Sequence, residues 1–147
     1  MASGQRIAVS GFLLVVALAI SQPANGQNLT SIVVEYPSGK VLSESGADVV
    51  TYPASLTKMM TLYLTFEALR AGRVGMATRL SVSAEAARQP PSKLGLRPGS
   101  TIRLDEAIRA LAVKSANDVA VVLAEGIGGS EARFAQLMSY RARELGM

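Results

Sequence analysis

The pattern of apolar and polar positions divides the chain into blocks of different period. Residues Ile7 to Ile20 are apolar except for Ser10 and Gly11, with no polar face among them. Ser31-Ile32-Val33-Val34-Glu35 is then β-branched and apolar, Pro37-Ser38-Gly39-Lys40 carries turn residues, and Val41-Leu42 resumes the strand character. This pattern predicts a β-hairpin. From about Ala54 to Ala71 the period becomes helical: Met59, Leu62, Tyr63, Phe66 and Leu69 recur at three- and four-residue spacing. Pro53 opens this run, and Gly72 and Gly75 close it. Residues 76–100 are mixed, with Gln89-Pro90-Pro91-Ser92 and Arg97-Pro98-Gly99-Ser100 as loops. A second helix is expected to carry Leu104, Ala107, Ile108, Leu111 and Ala112 on one face. A third, from about Asn117 to Glu125, is apolar nearly all round and therefore expected to be buried, with Gly126, Gly128 and Gly129 breaking it. Ser130 is placed to cap a last helix that turns Phe134, Leu137, Met138 and Leu145 to the core. Two strands cannot cover that many amphipathic faces, so the sheet is expected to find its other strands beyond Met147.

The first block changes the picture of where the chain works. Arg6 supplies a positive start, the apolar run follows, and Ser21-Gln22-Pro23 and Ala24-Asn25-Gly26 provide helix breakers and small residues. Residues 1–26 thus have the layout of a secretory signal peptide, cleaved after Gly26 in preference to Ala19. The run is shorter than the roughly 20 residues of a spanning helix, which favours export with cleavage over a retained anchor. The remaining residues 27–147 suffice for one ordinary domain. With 49% hydrophobic and 18% charged residues, a globular core is expected rather than disorder. The net charge of +4 comes without a basic run or an aromatic platform, so nucleic-acid binding has no support. The chain has no cysteine, which removes disulfides and thiolate metal sites. It has no histidine either, which excludes a Ser-His-Asp triad and argues against an ordinary zinc hydrolase. A nucleophile in this chain needs another base, and lysine is the natural one.

Ser55 and Lys58 lie three positions apart at the opening of the first predicted helix, which puts them on one face. A lysine takes a serine proton only while neutral, and burial and the positive end of a helix dipole both favour the neutral amine. The same position leaves the Ser55 N–H free to face an oxyanion. Such a spacing alone is common, about once in two chains of this length. The second candidate is Ser115-Ala116-Asn117, between two predicted helices. A hydroxyl and an amide there can point into one cleft, or Ser115 or Asn117 can simply cap the next helix.

The order S-x-x-K and then S-x-N belongs to penicillin-binding proteins and β-lactamases. Tyr52-Pro53-Ala54-Ser55-Leu56-Thr57-Lys58-Met59-Met60-Thr61 resembles, nearly residue for residue, the serine block of the low-molecular-weight D-alanyl-D-alanine carboxypeptidases. Ser115-Ala116-Asn117-Asp118 resembles their second block, and residues 33–42 their N-terminal strands. Gly129-Ser130-Glu131-Ala132-Arg133-Phe134 and Leu145-Gly146-Met147 are similar to the segments that follow. The resemblance implies an α+β, β-lactamase/transpeptidase-like fold, with a helical cluster packed on an antiparallel sheet and the C-terminal strands missing. It also implies an acyl-enzyme mechanism with no metal or organic cofactor. Ser55 would attack the terminal D-Ala-D-Ala bond of a peptidoglycan stem peptide, Lys58 would act as general base, Ser115 would relay the proton, and Asn117 would bind substrate. β-Lactams would acylate Ser55. The setting would be the periplasm or cell envelope, and any membrane association would run through a segment outside these residues.

The family's third motif, Lys-Thr-Gly, is absent from the 147 residues. Met138-Ser139 also stands where the family commonly has Met-Asn. A truncated carboxypeptidase is the leading expectation. The alternatives are a non-catalytic remnant or cell-wall interaction module, and a β-lactamase, which Ser-Ala-Asn in place of Ser-Asp-Asn disfavours.

Overall fold

The computed structural model describes residues 30–147, and the expected signal peptide lies outside them. The described residues fall into two compact units, residues 30–50 and Thr51–Met147. In the first, β1 (Ser31–Val34) pairs antiparallel with β2 (Val41–Ser45), Ile32 opposite Glu44 and Val33 opposite Ser43. A bulge at Val33/Val34 shifts the register before the turn. The turn closes where Glu35 N–H donates to Lys40 O at 2.8 Å and Gly39 N–H to Glu35 O at 2.8 Å. Gly39 has φ +66, a conformation that glycine adopts without steric cost. This is the predicted hairpin, with its second strand three residues longer than its apolar pair suggested.

The second unit is mainly helical. A single 3₁₀ turn, Ala54–Leu56, leads into α1 (Thr57–Arg70). Then come β3 (Arg79–Ser81), α2 (Ala84–Arg88), β4 (Thr101–Arg103), α3 (Leu104–Lys114), α4 (Asn117–Gly128) and α5 (Glu131–Glu144). β3 and β4 pair antiparallel with Leu80 opposite Ile102. Helices and antiparallel strands together give the expected α+β class.

The core is built round α4, which meets α1, α2, α3, α5 and β3. Its Val119, Val122 and Leu123 are fully buried, each worth about 1.5–3 kcal/mol relative to exposure. α4 therefore has the buried character that its all-round apolar sequence predicts, but it continues through two of the glycines expected to break it. Gly126 lies where a Cβ would come 2.7 Å from a Leu80 methyl carbon, and Gly128 where it would come 2.8 Å from Phe134 Cβ. These glycines permit close packing, and the helix stops only at Gly129, φ +82. Ser130 caps α5 as predicted, its Oγ accepting from Arg133 N–H at 3.2 Å.

On three helices the covered positions are fewer than, or different from, the apolar positions that mark the pattern. On α1 the buried positions are Thr61, Leu64, Thr65 and Ala68, while Met59 is 68% and Phe66 49% exposed. α1 packs against α4, and the buried Thr65 hydroxyl is satisfied within the helix by Thr61 O at 2.7 Å. On α3, Leu104, Ala107 and Leu111 are buried but Ala112 is exposed. On α5 only Phe134 is fully covered, and Leu137 and Leu145 stay exposed. α5 is held to α1 by polar contacts as well: Arg141 Nε donates to Glu67 Oε2 at 3.1 Å, and its guanidinium lies 5.9 Å from the Tyr63 ring centre.

Candidate active site

Two irregular joints bring the candidate residues together. The first precedes α1, where Ala54 takes φ 48, a left-handed conformation unusual for alanine. Leu56 N–H then closes the 3₁₀ turn on Pro53 O at 3.0 Å. Ser55 sits on this turn, exposed, one turn ahead of the helix in which the sequence places it. Its N–H donates to no acceptor among the described residues. Lys58 follows in the first turn of α1 and is half-buried.

The second joint is Ser115, which ends α3 at φ 54 and ψ 39 and donates its N–H to Leu111 O at 3.1 Å. The N-cap of α4 is Ala116, with no side-chain cap bond. The capping alternative for Ser115 and Asn117 therefore fails, because both side chains turn to Lys58. The ammonium donates to Ser115 Oγ at 3.0 Å and to Asn117 Oδ1 at 2.6 Å. Residues 57 and 59 positions apart in sequence thus converge on one amine.

Ser55, Lys58 and Asn117 line a cavity of about 500 Å³, with Val121, Ala124 and Phe134 also in its wall. No hydrogen bond joins Ser55 to Lys58 among the described residues, and no carboxylate pairs with Lys58 there. The cleft therefore presents an unbonded hydroxyl beside an amine whose contacts are a neutral hydroxyl and a neutral amide. No group of His, Cys, Asp or Glu suited to holding a metal ion occurs among the described residues.

The sequence reading missed Asp118 as a working residue. It is fully buried, and its carboxylate accepts four main-chain N–H groups: Leu94 at 3.0 Å, Gly95 at 2.9 Å, Leu96 at 3.1 Å and Val119 at 2.9 Å. Burial pushes its carboxyl up, but these four donors outweigh burial and hold it below the ordinary carboxylate value. The available signal was a carboxylate in the first turn of a largely apolar helix, which needs partners once buried.

The sequence matches the D-alanyl-D-alanine carboxypeptidase family over residues 18–147. It is 36% identical over 118 residues to a D-alanyl-D-alanine carboxypeptidase of Bacillus subtilis, covering 80% of this chain and 30% of that protein. With an Escherichia coli carboxypeptidase of the same description it shares 37% over 122 residues, covering 79% and 30%. Among solved structures, the D-alanyl-D-alanine carboxypeptidase of Francisella tularensis superposes with a TM-score of 0.74 at 34% identity, over 80% of this chain and 29% of that one. The ampicillin-bound penicillin-binding protein D2 of Listeria monocytogenes gives 0.63 at 30% identity, over 80% and 46%. The chain spans about 30% of the length of the curated relatives it matches.

Proposed function

Because the chain belongs to the D-alanyl-D-alanine carboxypeptidase family, we propose that its site is the nucleophile half of a serine carboxypeptidase acting on D-alanyl-D-alanine ends of peptidoglycan stem peptides. The observation that carries this reading is the convergence of Ser115 Oγ and Asn117 Oδ1 on the Lys58 amine, in the cavity that Ser55 also lines. Lys58 in its neutral form takes the Ser55 proton as Oγ attacks the carbonyl carbon of the scissile bond. The Ser55 N–H faces the developing oxyanion. The C–N bond then breaks, Ser115 passes the proton from Lys58 to the departing D-alanine nitrogen, and an ester on Ser55 remains. Asn117 holds the Lys58 side chain and meets the acyl chain. Water attacks the ester, gives its proton back through Lys58, and restores the serine.

β-Lactams fit the same step, since opening their ring leaves the same ester on Ser55. The apolar run in residues 1–26 supports export to the periplasm or cell envelope as a signal peptide, with residues 27–147 as the N-terminal part of the catalytic domain. The test is incubation with a fluorescent penicillin and peptide mapping of the adduct. Label on Ser55, lost in Ser55→Ala, is expected. The alternative against which this test decides is a cell-wall interaction module without catalysis. Binding of peptidoglycan fragments with no adduct at Ser55 would support that reading and sink the first.

A further inference from the structure

We propose that Asp118 is a positioning residue for the Lys58 site, acting through a main-chain strap, residues 90–96, that fixes which end of the Asn117 amide faces the amine. The proposal rests on the carboxypeptidase reading only for its catalytic consequence, since the geometry belongs to the fold. The strap lies between α2 and β4 and has no regular structure of its own. One end of it is gathered by Asp118, whose carboxylate takes the three consecutive amides of Leu94, Gly95 and Leu96 at 2.9–3.1 Å. Three consecutive N–H groups form a cradle for a negative oxygen pair, and charged acceptors make the stronger class of hydrogen bond.

The other end of the strap meets Asn117. Its Nδ2 donates to Pro90 O at 2.9 Å, and its main-chain N–H donates to Ser92 O at 2.7 Å. Ser92 Oγ in turn donates to Lys114 O at 2.9 Å, tying the strap to the last residue of α3. A primary amide has one donating and one accepting end. With a carbonyl of the strap on one side, the NH₂ must turn that way, and Oδ1 is left to accept from Lys58. The reverse orientation would set two acceptors together at Pro90 and two donors together at Lys58. The strap thus selects the orientation that gives Lys58 its acceptor, and Asp118, next in sequence to Asn117, holds the strap in place. Asp118 itself is not among the residues lining the cavity, and the hydrogen bonds of Lys58 go to Ser115 and Asn117 instead.

Two variants of the full chain test this by amide hydrogen exchange and by the Asn117 side-chain NH₂ signals in nitrogen-15 NMR. Asp118→Asn replaces one accepting oxygen by a donor. Gly95→Val leaves the carboxylate intact and places its Cβ where nothing lies within 4 Å, but forces a β-branched residue to φ +82. In both, exchange of the Asn117 main-chain amide and of the Leu94 and Leu96 amides is expected to speed about tenfold or more, with the Asn117 NH₂ signals shifting. The Val122 and Leu123 amides should keep their protection. A merely structural role would lower protection evenly along α4, and that result would overturn the proposal. So would a released strap beside an unmoved Asn117 amide. If Asp118→Asn fails to fold, Gly95→Val decides. Fluorescent penicillin run in parallel should label Ser55 more slowly in both variants. An unlabelled parent chain would sink the carboxypeptidase reading while the exchange data still judge the strap.

Discussion

Replacing Gly128 and Gly126 by alanine, one at a time, tests how α4 is packed and how that packing shapes the cavity. Both glycines lie near the C-terminal end of α4. A Cβ at Gly128 would come 2.8 Å from Phe134 Cβ and 3.1 Å from Phe134 Cα, so main chain of α5 stands in its way. At Gly126 it would come 2.7 Å from a Leu80 methyl carbon, the far end of a side chain able to rotate. Carbon atoms prefer a separation of about 3.5–4.0 Å, so α5 must move by roughly 0.7 Å or more to admit the first substitution. Overpacking that shifts backbone costs about 1–3 kcal/mol. Replacing a helical glycine returns at most about 1 kcal/mol, and less near a helix end. Gly128→Ala is therefore expected to lose about 1–2 kcal/mol. At Gly126 the Leu80 rotamer shift costs roughly 0.5–1.5 kcal/mol against the same helix gain, which leaves the variant within about 0.5 kcal/mol of the parent. Urea denaturation followed by circular dichroism measures both. Phe134 lines the cavity beside Lys58, so Gly128→Ala should also slow penicillin labelling of Ser55 while Gly126→Ala leaves it alone. A Gly128→Ala chain as stable as the parent, or a Gly126→Ala chain that loses more than Gly128→Ala, would refute this account of the two glycines.

Lys58→Ala removes the base and is expected to slow labelling of Ser55 by about 10²–10⁴-fold, read by intact-protein mass against time; equal labelling would remove Lys58 from the chemistry. Ala54→Gly relieves the left-handed strain before Ser55, and should raise the urea midpoint slightly while loosening the turn and slowing labelling; faster labelling would contradict a positioning role for that strain. Asp118 is held below the ordinary carboxylate value by its four amides, so the unfolded chain binds its proton first as pH falls. Its contribution to stability is then complete above the ordinary value of 3.8 and is lost as pH drops from there through the lowered folded value. Thermal melts from about pH 7 to pH 3 should show a steeper acid loss in the parent than in Asp118→Asn, where only other depressed carboxyls such as Asp105 remain.

The parts of this site that could be read from the sequence are those written in side-chain chemistry over a few residues. Ser55 and Lys58 share a turn, Ser115 and Asn117 share a joint, and a chain without histidine leaves a lysine as the base. That the two pairs meet was implied only by the family resemblance, because no periodicity links residues 57 positions apart. The covered face of α1 is hidden from the sequence for a related reason. Large apolar residues mark a stripe by their size, but the buried positions of α1 are Thr61, Leu64, Thr65 and Ala68, of which only Leu64 is a large apolar residue. β3 and β4, three residues each, are too short to show a period of two.

Asp118 marks the limit of that kind of reading. Its side chain is visible in the sequence, yet three of its four partners are main-chain amides 22 to 24 residues earlier. An amide is present at every residue except proline and leaves no mark in composition. The Pro90 and Ser92 carbonyls that orient Asn117 are equally anonymous. A site built by main chain on one side and side chain on the other therefore reads as half a site. The half that is silent in sequence decides which way the Asn117 amide faces, and with it whether the Lys58 amine meets an acceptor or a second donor.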